Sequence, residues 1–253
     1  MVDGEPTVDM MGVDPRRFGP YATRGYLKEK NEEAYSNVFT THYPDEERSA
    51  ARPLKTAPCY DRMKDLGAVF GSVYGWERPN WFMPSLDYSL TAKDLNQADP
   101  SKVILNKNHS KALDDGRIVE KNSFRRSNYF EHVGNECKHV NENVGLLDMS
   151  AFAKCIVKGP GAEEWLEYIF ANKMPKTIGR ISLVHMLSLN GGVRSEFTVY
   201  KTGPQSYYLV SAGAFETHDH DYLFKLAPKD GTVSIQRVTT QTGVLVLAGP
   251  RSR

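Results

Sequence analysis

Two hydrophobic periods take turns along the second half of this chain. Between Ser127 and Gly145, SNYFEHVGNECKHVNENVG spaces Tyr129, Val133, Cys137 and Val140 three or four residues apart. That spacing predicts an amphipathic helix with Ser127 as its cap and its end near Gly145. The period then shortens to two. GLLDMS and FAKCIVKGPG read as strands. GAEEWLEYIFANK returns to helix, with Trp165, Leu166, Ile169 and Phe170 inward and Glu163 and Glu164 at its positive end. GRISLVHMLSLNGGVRSEFTVYKTGPQSYYLVSAG predicts three strands, turned at Asn190–Gly191–Gly192 and at Thr202–Gly203–Pro204. THDHDYLFKLAP predicts a helix opened by Thr217, and GTVSIQRVT and GVLVLAG two further strands. Strands that follow strands favour an α+β domain over a doubly wound sheet.

The first half is less regular. Residues 1–24 run from acidic to basic, with Pro15 and Pro20 bracketing Arg16, Arg17 and Phe18. YLKEKNEEAYSNVF predicts a helix with Tyr26, Ala34, Tyr35, Val38 and Phe39 on a loosely shared face. Pro44, Pro53 and Pro58 forbid a long helix after it, and CYDRMKDLG fits a short one ended by Gly67. GSVYGWERPNWF, Gly71 to Phe82, concentrates aromatic residues around Glu77 and Arg78. Such a cluster predicts packing between domains, with Glu77 and Arg78 paired, because an unpaired buried charge is very costly. Residues 83–123 are polar apart from Val103–Leu105 and read as a connection. The predicted segments are thus 1–24, 25–82, 83–123 and 124–253. GVLVLAG, of buried type, leads only to a Gly–Pro turn, so the last domain is expected to be incomplete.

Composition removes several function classes. Lys and Arg number 32 against 31 Asp and Glu, a formal net charge of +1. That balance argues against a nucleic-acid or anionic-membrane partner. Cys59, Cys137 and Cys155 are widely spaced, so neither a disulfide framework nor a zinc knuckle is supported. No apolar run reaches membrane-spanning length, and the first 19 residues lack the basic and apolar regions of a secretion signal. GPGAEEW offers Gly159 and Gly161 but no third glycine, and reads as a tight turn rather than a phosphate cradle. HDHD, His218 to Asp221, cannot converge on a metal, because neighbours on a helix point about 100° apart.

NGGVRSEFTVY holds the most chemistry. Alternation puts Arg194, Glu196, Thr198 and Tyr200 on one strand face and Ser195, Phe197 and Val199 on the other. A carboxylate and a tyrosine together can grip a polar heterocycle. The same pattern also fits a solvated face with an Arg194–Glu196 pair.

Longer motifs are more specific. DPRRFG, HYPDEERSAARPLKTAPCYDRM and GAVFGSVYGWERPNWF resemble the region just after the flavin domain of dimethylglycine and sarcosine dehydrogenases. GLLDMSAFAKCIVKGPGAEEWLEYI, GGVRSEFTVY and GVLVLAGPRS resemble the first half of the domain those enzymes share with the glycine-cleavage T-protein, an aminomethyltransferase. The resemblance implies an α+β chain: the end of a flavin domain, a small central domain, and a partial T-protein-like folate domain with antiparallel sheet and helices.

The implied chemistry is oxidation of an N-methyl amino acid at FAD, followed by capture of the one-carbon unit on tetrahydrofolate. By this resemblance Glu196 takes the place of a folate-side catalytic aspartate, and Tyr200 that of a pocket tyrosine. Leu183 replaces another pocket tyrosine, and Leu209 and Val210 fall on the apolar wall. FAD attachment residues have no counterpart, so the chain alone is expected to bind no FAD and to be inactive. Its expected partners are folate and a flavin domain or subunit, with a homo-oligomer of the intact enzyme also compatible. A bacterial cytoplasmic or mitochondrial-matrix setting fits such an enzyme. The alternatives are a T-protein-like aminomethyltransferase or demethylase, and a non-catalytic folate-binding subunit that docks on a separate flavin subunit.

Overall fold

The computed structural model describes residues 10–82, 110–112, 118–121, 123–188 and 190–253. In chain order its first elements are helices α1 (Arg24–Ser36) and α2 (Tyr60–Asp65), strands β1 (Ala68–Val73), β2 (Trp76–Phe82), β3 (Ser110–Ala112) and β4 (Ile118–Lys121), then helix α3 (Phe130–Glu142). Strands β5 (Gly145–Asp148) and β6 (Ala153–Lys158), helix α4 (Ala162–Ile169), and strands β7 (Ile181–Leu187), β8 (Val193–Gly203) and β9 (Ser206–Ser211) follow. Helix α5 (Glu216–Leu226) and strands β10 (Ser234–Arg237) and β11 (Leu245–Ala248) complete the order. The mixture of helix with antiparallel strands is the α+β class that the pattern predicts. The chain forms two units, Met1–Pro20 with Met149–Val244, and Tyr21–Asp148 with Leu245–Arg253.

The second unit is a set of small pieces. Thr23 caps α1 by accepting the Tyr26 N–H at 3.3 Å, but the helix buries no residue. Tyr35 and Phe39 are exposed, so the apolar face expected there does not form. Its polar anchor is Glu33, which accepts the amides of Ser49 and Ala50 at 2.7 and 2.8 Å. Burial pushes the Glu33 carboxyl up, and those amides with Lys30 outweigh it, so the net shift is downward.

Strands β1 and β2 form a hairpin around Tyr74–Gly75, with Val73 opposite Trp76. Both turn residues take positive φ, 50° and 81°, as a two-residue turn matched to strand twist demands. Val69 and Trp81 on this hairpin pack with Tyr129 and Val133 of the α3 region, and Trp81 stacks on His132. Cys137, expected on the same inner stripe, is exposed. Ser127 serves by its carbonyl, which accepts the Phe130 N–H at 3.1 Å, and no side chain caps α3.

Glu77 is buried, and its partner is not Arg78. Arg52 holds it in a two-pronged bond, Nε to Oε1 at 2.8 Å and Nη2 to Oε2 at 2.6 Å, while Arg78 is exposed. Successive residues on β2 point to opposite faces, and the side that Arg78 takes meets solvent while that of Glu77 is covered. Within the segment read as a connection, β3 and β4 pair antiparallel, Ser110 opposite Lys121. Strands β5 and β11 pair as a separate two-stranded ribbon. Leu146, Leu147, Leu245, Val246 and Leu247 on it are exposed, so the last strand is not of the buried type its sequence predicts.

The first unit carries a five-stranded antiparallel sheet in the order β10-β6-β9-β8-β7. One face is core. Cys155 and Val157 of β6, Tyr207 and Leu209 of β9, Phe197 and Val199 of β8, and Val184 and Met186 of β7 are buried there. Trp165, Leu166 and Ile169 of α4 and Leu223 of α5 belong to the same cluster. The inward set on α4 matches its sequence stripe. Thr217 lies inside α5, whose N-cap is Phe215 without a side-chain bond.

The turn before α4 explains its glycines. At Gly159, with φ of 128°, a Cβ would lie 2.1 Å from the Thr232 carbonyl oxygen. The chain passes too close for any side chain. Glu163 then ties α4 to the sheet, accepting from Lys201 at 2.6 Å, Tyr207 at 2.5 Å and Lys176 at 2.8 Å. Lys176, Lys201 and Tyr207 together lower its carboxyl to about 2.

Candidate functional site

On the opposite face the β7–β8 part of that sheet is open to solvent. The β7–β8 register sets Ile181 against Tyr200, Leu183 against Thr198 and His185 against Glu196. The β8–β9 register sets Thr198 against Val210 and Tyr200 against Tyr208. Period-two alternation therefore collects Leu183, Glu196, Tyr200 and Val210 on one surface. Leu183 is 54% exposed and Tyr200 37%. Leu209 does not join them; it is 1% exposed on the core face. Alternation alone separates Leu209 from Val210, since adjacent strand residues cannot line one surface.

Arg194 departs from simple alternation. The register slips between Met186 and Leu187, opposite the start of β8. Beside that irregularity the Arg194 guanidinium sits over the Tyr222 ring of α5, 4.0 Å from its centroid.

Glu196 has a partner that sequence reasoning missed. Its Oε2 lies 3.2 Å from His185 Nε2. Asn172 Oδ1 in turn accepts the His185 backbone N–H at 2.9 Å and lies 3.4 Å from its Nδ1. Glu196 Oε1 has no hydrogen bond among the described residues. The His185–Glu196 pairing was accessible in principle, because a hairpin turned near Gly191 brings these positions opposite each other. Nothing in the sequence marks Asn172, which precedes β7 by a loop.

Other candidate chemistry is engaged elsewhere. The Gly159 N–H donates to Gln205 O at 3.0 Å and the Gly161 N–H to Thr232 O at 3.2 Å, so the GPG turn offers neither amide to a phosphate. His218 bonds Asp219, and Arg237 bonds His220 at 2.6 Å. Burial and the neighbouring Arg237 lower the His220 imidazole below its ordinary value. Burial, then Asp219, raise the Cys155 thiol to about 12. Among the described residues no three His, Cys, Asp or Glu side chains are grouped to hold a metal, and no helix is long and apolar enough to cross a membrane.

The GCVT N-terminal domain family matches residues 59–253. The chain belongs to that family. Residues 3–57 match the FAD dependent oxidoreductase central domain family. Dimethylglycine dehydrogenase of Mus musculus, described as mitochondrial, is 34% identical across the whole chain, which covers 26% of that protein. Mitochondrial sarcosine dehydrogenase of Homo sapiens is 24% identical across the whole chain, covering 29% of that protein. The chain therefore spans about a quarter of the length of these curated relatives. Among solved structures, the glycine cleavage aminomethyltransferase T of Bartonella henselae superposes with a TM-score of 0.54 at 21% identity, over 79% of this chain and 42% of that one. That likeness gives the fold of a GCVT-type domain.

Proposed function

We propose that the open face of the five-stranded sheet binds a reduced folate, and that the chain supplies the folate side of an FAD-dependent oxidative demethylase of N-methyl amino acids, of the dimethylglycine or sarcosine dehydrogenase type. One observation carries the reading. Glu196 stands on an exposed sheet face with one carboxylate oxygen tied to His185 and the other without a bond among the described residues, beside Tyr200, Leu183 and Val210. A flat aromatic heterocycle with amine donors needs those features: apolar and aromatic area under its rings, and a fixed acceptor for an N–H.

The donor set fits the ligand. Glu196 Oε1 can accept from a folate amine, and the carboxylate favours positive charge that develops near it. Tyr200 offers ring area beside it. Reduced folate supplies the nucleophilic amines that take up the one-carbon unit. Gly159 and Gly161 do not fit FAD phosphates, because their amides are already bonded, and no step is assigned to FAD on this chain. Flavin chemistry belongs to a domain or subunit outside these residues, in the mitochondrial matrix or the bacterial cytoplasm.

Isothermal titration of the chain with tetrahydrofolate tests the reading. The expected result is saturable binding that weakens about tenfold in Glu196→Ala, the loss of one hydrogen bond to a charged group. Equal affinity in the variant removes Glu196 from the site. Binding that is absent in the unmodified chain removes the folate.

A further inference from the structure

We infer that His185, held by Asn172, is a positioning residue that clamps one oxygen of Glu196 and leaves the other as the acceptor a ligand amine meets. The ligand is the reduced folate proposed above; the clamp itself is a matter of geometry.

Residues 170–172 run beside β7. Phe170 bridges to Met186, and the Ala171 N–H donates to His185 O at 2.9 Å. This pairing brings the Asn172 side chain to His185. The backbone N–H of His185 fixes which end of the Asn172 amide faces it, since only Oδ1 can accept. The same oxygen faces Nδ1, so Nδ1 carries the hydrogen. A neutral ring then has a bare Nε2, and Nε2 faces Glu196 Oε2. Two lone pairs cannot satisfy each other. One proton must lie between them. Oε2 is then occupied and Oε1 remains an acceptor.

Little else nearby competes for that proton. Ile181, Leu183 and Leu187, the other residues of β7 that alternate with His185, are aliphatic. Arg194, the nearest cation on β8, stacks on Tyr222 of α5, while Tyr200, Tyr208 on β9, and Lys154 and Lys158 on β6 are the other ionisable groups of this face, Lys154 donating to the Ser150 and Thr242 carbonyls. Burial raises the Tyr208 hydroxyl, which keeps it protonated and neutral. Sequence-adjacent carboxylates could not build this arrangement, because it needs a strand pair and a loop to meet.

Nitrogen-15 NMR of the histidine rings in the 253-residue chain tests the clamp. The expected spectrum has hydrogen on Nδ1 of His185, and Asn172→Ala shifts the ring toward the Nε2–H form, the form that free histidine prefers. A bare Nδ1 in the unmodified chain, or a spectrum indifferent to Asn172→Ala, overturns the proposal. Titration with tetrahydrofolate then reads the consequence. His185→Leu should weaken binding about tenfold, and His185→Gln, which keeps a donor toward Glu196, by less than about threefold. Undiminished binding by His185→Leu overturns the positioning role. A locked ring in a chain that binds no tetrahydrofolate sinks the folate reading and leaves the clamp supported.

Discussion

Strand β8 carries two kinds of polar chemistry on its two faces. On one side Lys201 reaches Glu163, whose oxygens also accept from Tyr207 and Lys176. On the other, Glu196 has a single partner among the described residues and one oxygen to spare. The same strand thus supplies a carboxylate network that is saturated and another site that is not. A saturated carboxylate holds structure: its bonds are satisfied within the protein, and a ligand would have to break them. An unsaturated one, exposed and fixed on a rigid strand, is where an incoming donor gains a bond at little reorganisation cost.

The largest break of this comparison comes from its apolar counterparts. Phe197→Ala, on the core face, should lower unfolding free energy by about 3–5 kcal/mol, because it removes a buried aromatic and leaves a cavity. Leu183→Ala, on the open face, should stay within about 0.5 kcal/mol. Urea unfolding of both variants decides it, and equal losses would mean that the second face is also core. The Glu163 network sets a smaller effect that depends on pH. The folded carboxyl, at about 2, lies below its unfolded value, so its contribution is full above the ordinary glutamate range and fades as pH falls toward 2. In Glu163→Gln the melting temperature should fall at pH 7, and the gap from the unmodified chain should narrow at pH 3. Glu196→Gln should show no such gap, since that carboxylate has few bonds to lose. The smallest effect leaves stability alone: at pH 8 under native conditions a thiol reagent should label exposed Cys137 quickly and buried Cys155 only on unfolding, as the thiol raised to about 12 requires. Rapid labelling of both would show that the core face opens.

Period explains what was legible beforehand. The α4 stripe, the β8 alternation and the glycine turns are local signals, and each positions residues within a few steps of one another. The same rule separates Leu209 from Val210, which the family resemblance had grouped, and sets Arg78 on the solvent side of β2, away from Glu77. The partners that complete the polar sites lie farther along the chain. Arg52 is 25 positions from Glu77, and Asn172 is 13 from His185. Such pairings depend on how loops return, and no short window of sequence contains that information. The α1 face failed for a different reason. Helical spacing marks residues that can share a side, but α1 ends at Ser36, before Phe39, and among the described residues nothing covers Tyr35.

The β5–β11 ribbon has a practical consequence. Five aliphatic side chains in two short strands meet water, on a pair that has no third strand among the described residues. Such a ribbon is an adhesive surface, as are the exposed Tyr35 and Phe39. Retention on a column and behaviour in concentrated solution are expected to respond to changes there, at four leucines and a valine on strands that do not carry Glu196.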